Sequence, residues 1–171
     1  ELAAFVGGTA GTVDFILDVN GYFAPAAAPP VLTGFGPEQS FVDVGQTVVP
    51  TYPTPLGVTL GGPVASDTTV SVTSNDPAAV SVVGGGVLIP AGQTSGQVLV
   101  TSTLAGTATL TATLGSTSLT ARVRALGGTE VPVLASLLPD TATLAPNGTL
   151  ALAVGLDLPA PAGGAVVTVA L

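Results

Sequence analysis

The sequence has no cysteine, histidine, methionine or tryptophan among its 171 residues, and it has no lysine. Without histidine and cysteine, the common nucleophile–base pairs and structural zinc sites are excluded. The absence of lysine excludes a Schiff base and an internal lysine–asparagine isopeptide cross-link. Because no disulfide can form, cysteine usage gives no indication of the redox compartment.

Charged residues are also scarce, at 7% of the chain, which is about a quarter of the usual share. Ten carboxylates against two arginines, Arg122 and Arg124, give a net charge of −8. This charge repels phosphate backbones, so we expect no nucleic-acid partner. The apolar runs are short and broken by Gly, Pro and Thr, so we expect no membrane span. With no N-terminal signal peptide, the composition is typical of a mature or internal part of a secreted protein.

An alternation of polar and apolar residues predicts β-strands along nearly the whole chain. Residues 107–114 read TATLTATL, the two-residue period of a half-buried strand, and residues 118–126 (SLTARVRAL) repeat it. The intervening GSTS predicts a hairpin turn at Gly115. Further strands are predicted at residues 46–52, 68–74, 79–83, 86–89 and 96–103. Short strands separated by turn signals over about 95 residues are typical of an immunoglobulin-type β-sandwich.

The order of linkers and strands predicts several modules. Residues 1–24 are predicted to be the C-terminal strands of a preceding β-module, 25–30 a Pro/Ala linker, 31–126 a complete sandwich, 127–132 a second linker, and 133–171 the N-terminal strands of a following repeat. Residues 32–47 and 134–149 align without a gap, and after a shift of five residues 68–74 (TTVSVTS) matches 165–171 (AVVTVAL). We therefore expect an all-β chain of tandem immunoglobulin-like sandwiches, one complete and two partial, with three strands in the last.

Three stretches of residues 31–126 resemble the Ig-like repeats of large secreted and cell-surface bacterial proteins. They are VSVTSNDPAAVSV (70–82), VLIPAGQTSGQVLVTST (87–103) and GTATLTATLGSTSLTARV (106–123). The segment LPAPAGGAVVTVAL (158–171) resembles the part of the next repeat that leads into its Ser-Asn-x-Pro turn. The segment VDFILDVNGYF (13–23) is similar to the last strand of another secreted bacterial β-module. The resemblance implies an Ig-like fold and an extracellular setting. It supplies no catalytic, cofactor-binding or metal-binding residues.

Several carboxylates are candidates for functional groups. Asp14 and Asp18 are roughly 13 Å apart on a strand, too far for a glycosidase pair, whose carboxyls lie within about 9.5 Å. Asp18 and Asn20 are spaced like two ligands of a calcium-binding loop. The terminal acidic ligand of such a loop is missing, so a turn that ends the strand is the favoured interpretation. For three other carboxylates a hydrogen bond to nearby turn N–H groups is the simpler interpretation; they are Asp67, Asp76 and Asp157.

Threonine rows and arginines were the other candidates. A row of alternating threonines predicts the solvated face of a strand; its members are Thr107, Thr109, Thr111 and Thr113. O-glycan attachment to these hydroxyls is the second interpretation. Ice binding is disfavoured because it needs a flat array and such sheets twist. Asn147 begins a formal glycosylation sequon, although a turn is favoured there. Arg122 and Arg124 either pair with an acidic neighbour or keep a solvated edge from aggregating.

These features predict a non-catalytic structural repeat of a bacterial extracellular filament or cell-surface stalk, with no metal and no cofactor. Two broken sandwiches expose apolar side chains and unpaired backbone groups, so we expect other copies or adjacent modules of a long chain as partners, with glycans or the cell envelope also possible. One alternative is an adhesin or carbohydrate-binding arm, which should show clustered exposed aromatics. Another is an accessory domain of a large secreted hydrolase.

Overall fold

A computed structural model describes residues 29–161 and 163–169, and the described chain is built from β-strands. The all-β, sandwich-like class predicted from the sequence is confirmed. The predicted module at residues 1–24 and most of the linker at 25–30 lie outside the described residues. The strands are β1 (Leu32–Gly36), β2 (Gln39–Asp43), β3 (Thr47–Val48), β4 (Gly57–Leu60), β5 (Thr68–Ser74), β6 (Val80–Val82), β7 (Gly86–Ile89), β8 (Ser95–Gln97), β9 (Val100–Ser102), β10 (Gly106–Leu114), β11 (Thr117–Leu126), β12 (Leu134–Leu138) and β13 (Ala153–Leu156).

The strands of residues 31–126, which we call the first copy, form two layers. One layer is a five-stranded sheet in the order β2-β11-β10-β5-β7, and the other consists of the three-stranded sheets β1-β4-β8 and β3-β9-β6. The chain changes layer between β1 and β2, so β1 pairs with β4 whereas β2 runs parallel to β11. The second strand of the first copy, β2, and its C-terminal strand, β11, are therefore hydrogen-bonded side by side.

The core lies between these two layers and is filled by the apolar residues of each alternation. Along β10 the residues Ala108, Leu110 and Ala112 are buried while the intervening threonines face outward. The same alternation buries Ala121 and Val123 on β11. Since successive side chains of a strand point to opposite faces, the two-residue sequence period translates directly into a single buried cluster.

Two turns are formed by local hydrogen bonds: a Ser-Asn-x-Pro turn at residues 74–77 and a Pro-Ala-Gly-x-Thr corner at residues 90–94. At the Ser-Asn-x-Pro turn, Ser74 Oγ accepts the N–H of Asp76 (3.2 Å), and Asp76 Oδ1 accepts that of Ala79 (3.3 Å). At the Pro-Ala-Gly-x-Thr corner, Gln93 N–H donates to the Pro90 carbonyl (3.0 Å), and Gly92 has a φ of 80°. That φ is in the left-handed region, which glycine adopts without steric cost.

Some strand boundaries differ from the sequence-based predictions. Within residues 46–52 only Thr47 and Val48 form a strand, and the short strands β1, β2 and β4 were not predicted. The strand predicted over residues 96–103 is interrupted at Val98 and Leu99, so β8 and β9 join different sheets. These runs are too short for the alternation to decide where pairing begins, because the partner strand determines it.

The predicted third strand of the second copy, our name for residues 133–171, is also wrong within the described residues. Residues 165–169 are not in a strand, while 170 and 171 lie outside the described residues. In the first copy the matching strand β5 is held between β10 and β7. Strand-forming residues alone do not form a strand where no neighbour supplies the hydrogen bonds.

Candidate assembly site

The strand pair of the second copy reproduces a pair of the first copy residue by residue. In the first copy Leu32 pairs with Leu60 and Gly36 with Gly57, with a bulge after Leu32. In the second copy Leu134 pairs with Leu156 and Leu138 with Ala153, again with a bulge after the leucine. Each first strand is followed by a cis proline, Pro37 or Pro139. β12 and β13 therefore have the geometry of the opening strands of a sandwich.

The turn that follows β2 in the first copy has the same conformation as the matching turn at Asn147 in the second copy. Gly45 has a φ of 87°, and the matching Asn147 has a φ of 63°. The turn is closed by Gln46 N–H donating to the Asp43 carbonyl in one copy and by Gly148 N–H donating to the Ala145 carbonyl in the other. Asparagine tolerates this left-handed conformation better than most residues. The prediction that Asn147 marks a turn is confirmed.

The equivalent side chains differ sharply in burial. Leu32 is 3% exposed but Leu134 is 54% exposed, and Leu56 is 0% exposed but Leu152 is 42% exposed. Val58 and Val42 are buried, whereas Val154 and Leu144, which match them, are exposed. We call the exposed set the open face; its members are Leu134, Leu144, Leu152 and Val154. The same sequence pattern thus forms a core in one copy and a wet apolar surface in the other.

The difference arises from the sheet that covers the first copy. There the inward residues of β1 and β4 pack in one cluster with those of β5, β10 and β11. β2 is held by parallel pairing of Gln39–Asp43 with Arg122–Leu126. In the described part of the second copy no such sheet lies opposite β12 and β13, and residues 141–145, which match β2, form no strand.

An ion pair fixes the linker between the copies. Arg124, near the end of β11, donates to Glu130 Oε2 at 2.5 Å, and Gly127 N–H donates to Glu130 Oε1 at 2.9 Å. The Glu130 N–H returns to the Gly127 carbonyl at 3.0 Å, which closes a turn. Of the two interpretations that the sequence left open for Arg124, the pairing with an acidic neighbour is the one observed. Glu130 was not singled out because its role depends on the turn that brings it back to β11.

A cavity of about 590 Å³ lies where the copies meet. Phe41 and Tyr52 of the first copy line it, with ring centroids 6.0 Å apart and planes tilted by 53°. Leu158 of the second copy also lines it and is buried, unlike the members of the open face. The joint is thus a small apolar contact in addition to the ion pair.

The remaining candidate carboxylates form hydrogen bonds to the backbone. Asp67 Oδ1 accepts the N–H of Ala91 (2.9 Å), and Asp157 Oδ1 accepts that of Val133 (2.7 Å). With Asp76, all three carboxylates bind backbone N–H groups as predicted, although Asp67 and Asp157 each reach a residue 24 positions away. Arg122 is exposed on β11 and makes no ion pair with a described residue.

Other predicted features fall on solvated surface or outside the described residues. Thr107 is exposed, and the other threonines of the row, Thr109, Thr111 and Thr113, are half-buried on the face of β10 turned away from the core. The calcium-like segment at Asp18 and the pair Asp14 and Asp18 lie outside the described residues. Within residues 29–161 and 163–169, no three acidic groups lie together as a metal-binding cluster. The same residues contain no helix with the length and hydropathy of a membrane span.

Searches against known proteins gave structural likenesses only. No protein-family model and no curated protein matches the sequence. Domains 4 and 5 of the S-layer protein SbsC are 26% identical over 57% of this chain and 53% of that one, with a TM-score of 0.41. SbsC domains 5–6 are 23% identical over 79% and 65%, with a TM-score of 0.42, and domains 1–6 are 23% identical over 81% and 17%, with a TM-score of 0.43. The chain spans about half of the first of these structures.

Proposed function

We propose that the chain is a non-catalytic structural module of a bacterial extracellular filament or cell-surface stalk, and that it assembles through β-strand contacts between modules or subunits. In this proposal residues 31–126 are a complete Ig-like repeat, 127–132 a linker and 133–171 the beginning of the next repeat. The single observation that carries the proposal is the repeated strand pair, which has one register in both copies but, within the part of the chain that the structure describes, is covered in only one. The resemblance to bacterial Ig-like repeats supports the extracellular setting.

The path of the chain through the first copy supports a load-bearing role. The chain enters β2 at Gln39 and leaves β11 at Leu126, and the two strands are parallel over five residue pairs. Tension applied to the two ends of the copy therefore pulls the strands past each other. All hydrogen bonds of the pair are then loaded together, whereas an antiparallel hairpin pulled at its open end loses them one at a time.

The low charge of the chain also favours an assembled state over a free monomer. Only 7% of the residues are charged, and many large apolar side chains of the described second copy are exposed. Large apolar side chains that are exposed together in this way are typical of contact sites in soluble proteins. A packed array removes such surface from water.

Force spectroscopy tests the load-bearing role directly. Because the sequence has no cysteine, the pair Glu38→Cys and Gly128→Cys provides unique attachment points that load β2 and β11 in shear. The control pair Gln46→Cys and Gly128→Cys pulls from the end where Leu126 accepts the N–H of Val44, so the strands separate bond by bond. We expect a clearly higher unfolding force for the first pair. Equal forces would contradict the proposal.

A carbohydrate-binding arm is the second candidate function, and the joint cavity is the observation that favours it. Tyr52 is exposed beside Phe41 at this cavity, and aromatic rings are the usual platform for sugars. Glycan-array binding that Tyr52→Ala abolishes would support this function. No binding to any glycan would leave the structural module as the sole proposal.

A further inference from the structure

We propose that the open face of the second copy is a docking surface for a β-sheet of the same kind that covers the first copy. The partner supplies strands equivalent to β7, β10 and β11, whereas the segment that aligns with β5 belongs to this chain. This inference rests on the assembly part of the proposed function and names the surface and the partner. The partner is a sheet with one apolar face of alanine, valine and leucine and with one free edge strand.

The first requirement on the partner comes from the side chains that the equivalent residues meet in the first copy. Leu32, Leu56 and Val58 are buried in one cluster with small and medium apolar residues of the opposing sheet. On the two central strands these residues are Ala108, Leu110, Ala112, Ala121, Val123 and Ala125. Because Leu134, Leu152 and Val154 repeat the type and register of their equivalents, they fit the same kind of face.

The second requirement comes from the backbone. Residues 141–145 match β2 in sequence position but have no strand partner among the described residues. In the first copy the partner is the outer edge of β11: Arg122 N–H donates to the Glu38 carbonyl (2.8 Å), and Val44 N–H donates to the Leu126 carbonyl (3.0 Å). Only an extended strand running parallel to residues 141–145 offers this ladder. A helix has no free backbone groups along its length, and a lipid surface cannot supply both donors and acceptors.

The two requirements define one partner geometry. Leu144 lies in residues 141–145, which lack a partner strand among the described residues. Leu134 lies on β12, whose apolar side chains lack a covering sheet. A sheet that pairs with residues 141–145 also places its apolar face over β12 and β13, as in the first copy. Docking therefore completes the backbone ladder and the core together.

The test supplies the missing strands. Residues 75–126 are appended directly after Leu171 of the full chain, because residues 68–74 align with 165–171. Amide hydrogen exchange is then measured for β12 and β13, with β1 and β4 of the same molecule as an internal reference for folding. We expect exchange in β12 and β13 to slow by about 100-fold or more, toward the rates of β1 and β4.

A matched control carries Val123→Asp within the appended segment, at a position that is fully buried in the first copy. A charge there prevents the added sheet from packing, so β12 and β13 should exchange as in the unmodified chain. The inference is overturned if the added strands leave exchange in β12 and β13 unchanged. It is equally overturned if the control slows exchange as much, or if the unmodified chain protects these amides by pairing its open face with the open face of a second molecule.

This outcome is separable from the test of the proposed function. The force measurement concerns β2 and β11 of the first copy, whereas the exchange measurement concerns β12 and β13 of the second. A chain that resists force but does not accept the added strands would retain the structural function and lose this docking surface.

Discussion

Asp157 holds Val133 by two hydrogen bonds, one through its backbone and one through its side chain. The Asp157 N–H donates to the Val133 carbonyl at 3.1 Å, and the Val133 N–H donates to Asp157 Oδ1 at 2.7 Å. In the first copy only the backbone bond exists, from Gly61 to Val31 at 2.9 Å. The aspartate therefore gives the strand pair of the second copy a bond that the covered pair of the first copy lacks.

Replacing Asp157 by alanine should loosen the second copy without affecting the first. Loss of the side-chain acceptor removes one hydrogen bond, which contributes about 1 kcal/mol to the local stability of β12 and β13. Hydrogen exchange of Leu134–Leu138 should accelerate several-fold, while that of Leu32–Gly36 stays the same. Asp157→Asn keeps the oxygen acceptor and should behave like the parent chain. Equal acceleration in both variants would show that charge, not the hydrogen bond, stabilises the pair.

The equivalent leucines Leu56 and Leu152 should respond very differently to truncation. Leu56 is fully buried, so Leu56→Ala leaves a cavity and should lower the free energy of unfolding by about 2–5 kcal/mol. Leu152 is exposed on the open face, so Leu152→Ala should change it by less than about 0.5 kcal/mol. Urea denaturation followed by circular dichroism measures both. A large effect at Leu152 in a monomer would mean that the open face is covered from within the chain.

Loss of the ion pair between Arg124 and Glu130 should free the linker more than it destabilises the fold. Both side chains are partly exposed, so Arg124→Ala should lower the free energy of unfolding by no more than about 1 kcal/mol. Thermolysin cleavage within residues 127–133 should become faster because Glu130, which closes the turn at Gly127, loses its contact with β11. Arg122→Ala removes the same charge from the same strand but no ion pair with a described residue. If both variants are cleaved at the same rate, the ion pair does not hold the linker.

Removing one hydrogen bond between β2 and β11 should weaken the first copy against force. Val44→Pro deletes the N–H that donates to the Leu126 carbonyl at 3.0 Å. With tension applied through residues 38 and 128, this variant should unfold at a lower force because one fewer hydrogen bond resists the sliding of β2 past β11. The loss raises the unfolding rate, which determines the force at which the copy unfolds. Val83→Pro is the matched control, since it deletes the N–H that donates to the Leu99 carbonyl at 3.0 Å, away from the loaded strands. A similar loss of force in both variants would contradict a specific role for the β2–β11 pair.

The sequence predicted the parts of the fold that depend on local patterning. β10 and β11 were predicted within two residues because their alternation is long and the turn at Gly115 has the required positive φ. The turn at Asp76 was recognised because its hydrogen bonds join residues close in sequence. Both features are determined by residues near one another along the chain.

The sequence did not predict features that depend on distant partners. β4 is four residues long, and its existence follows from pairing with both β1 and β8. Residues 165–169 have the composition of β5 but form no strand, since in the first copy β5 is held by its neighbours β7 and β10. Glu130 at the joint was missed for the same reason, because its contact requires the folded linker.

Hydrogen exchange of the unmodified chain, as a dilute monomer, tests the central claim most directly. The measurement compares the amides of β1 and β4 with those of β12 and β13, which share one register. We expect strong protection in the first copy and weak protection in the second, because a five-stranded sheet covers the first copy and no such sheet lies over the second among residues 29–161 and 163–169. Equally strong protection of both pairs in a monomer would contradict the claim that the second copy needs strands from outside to close its core.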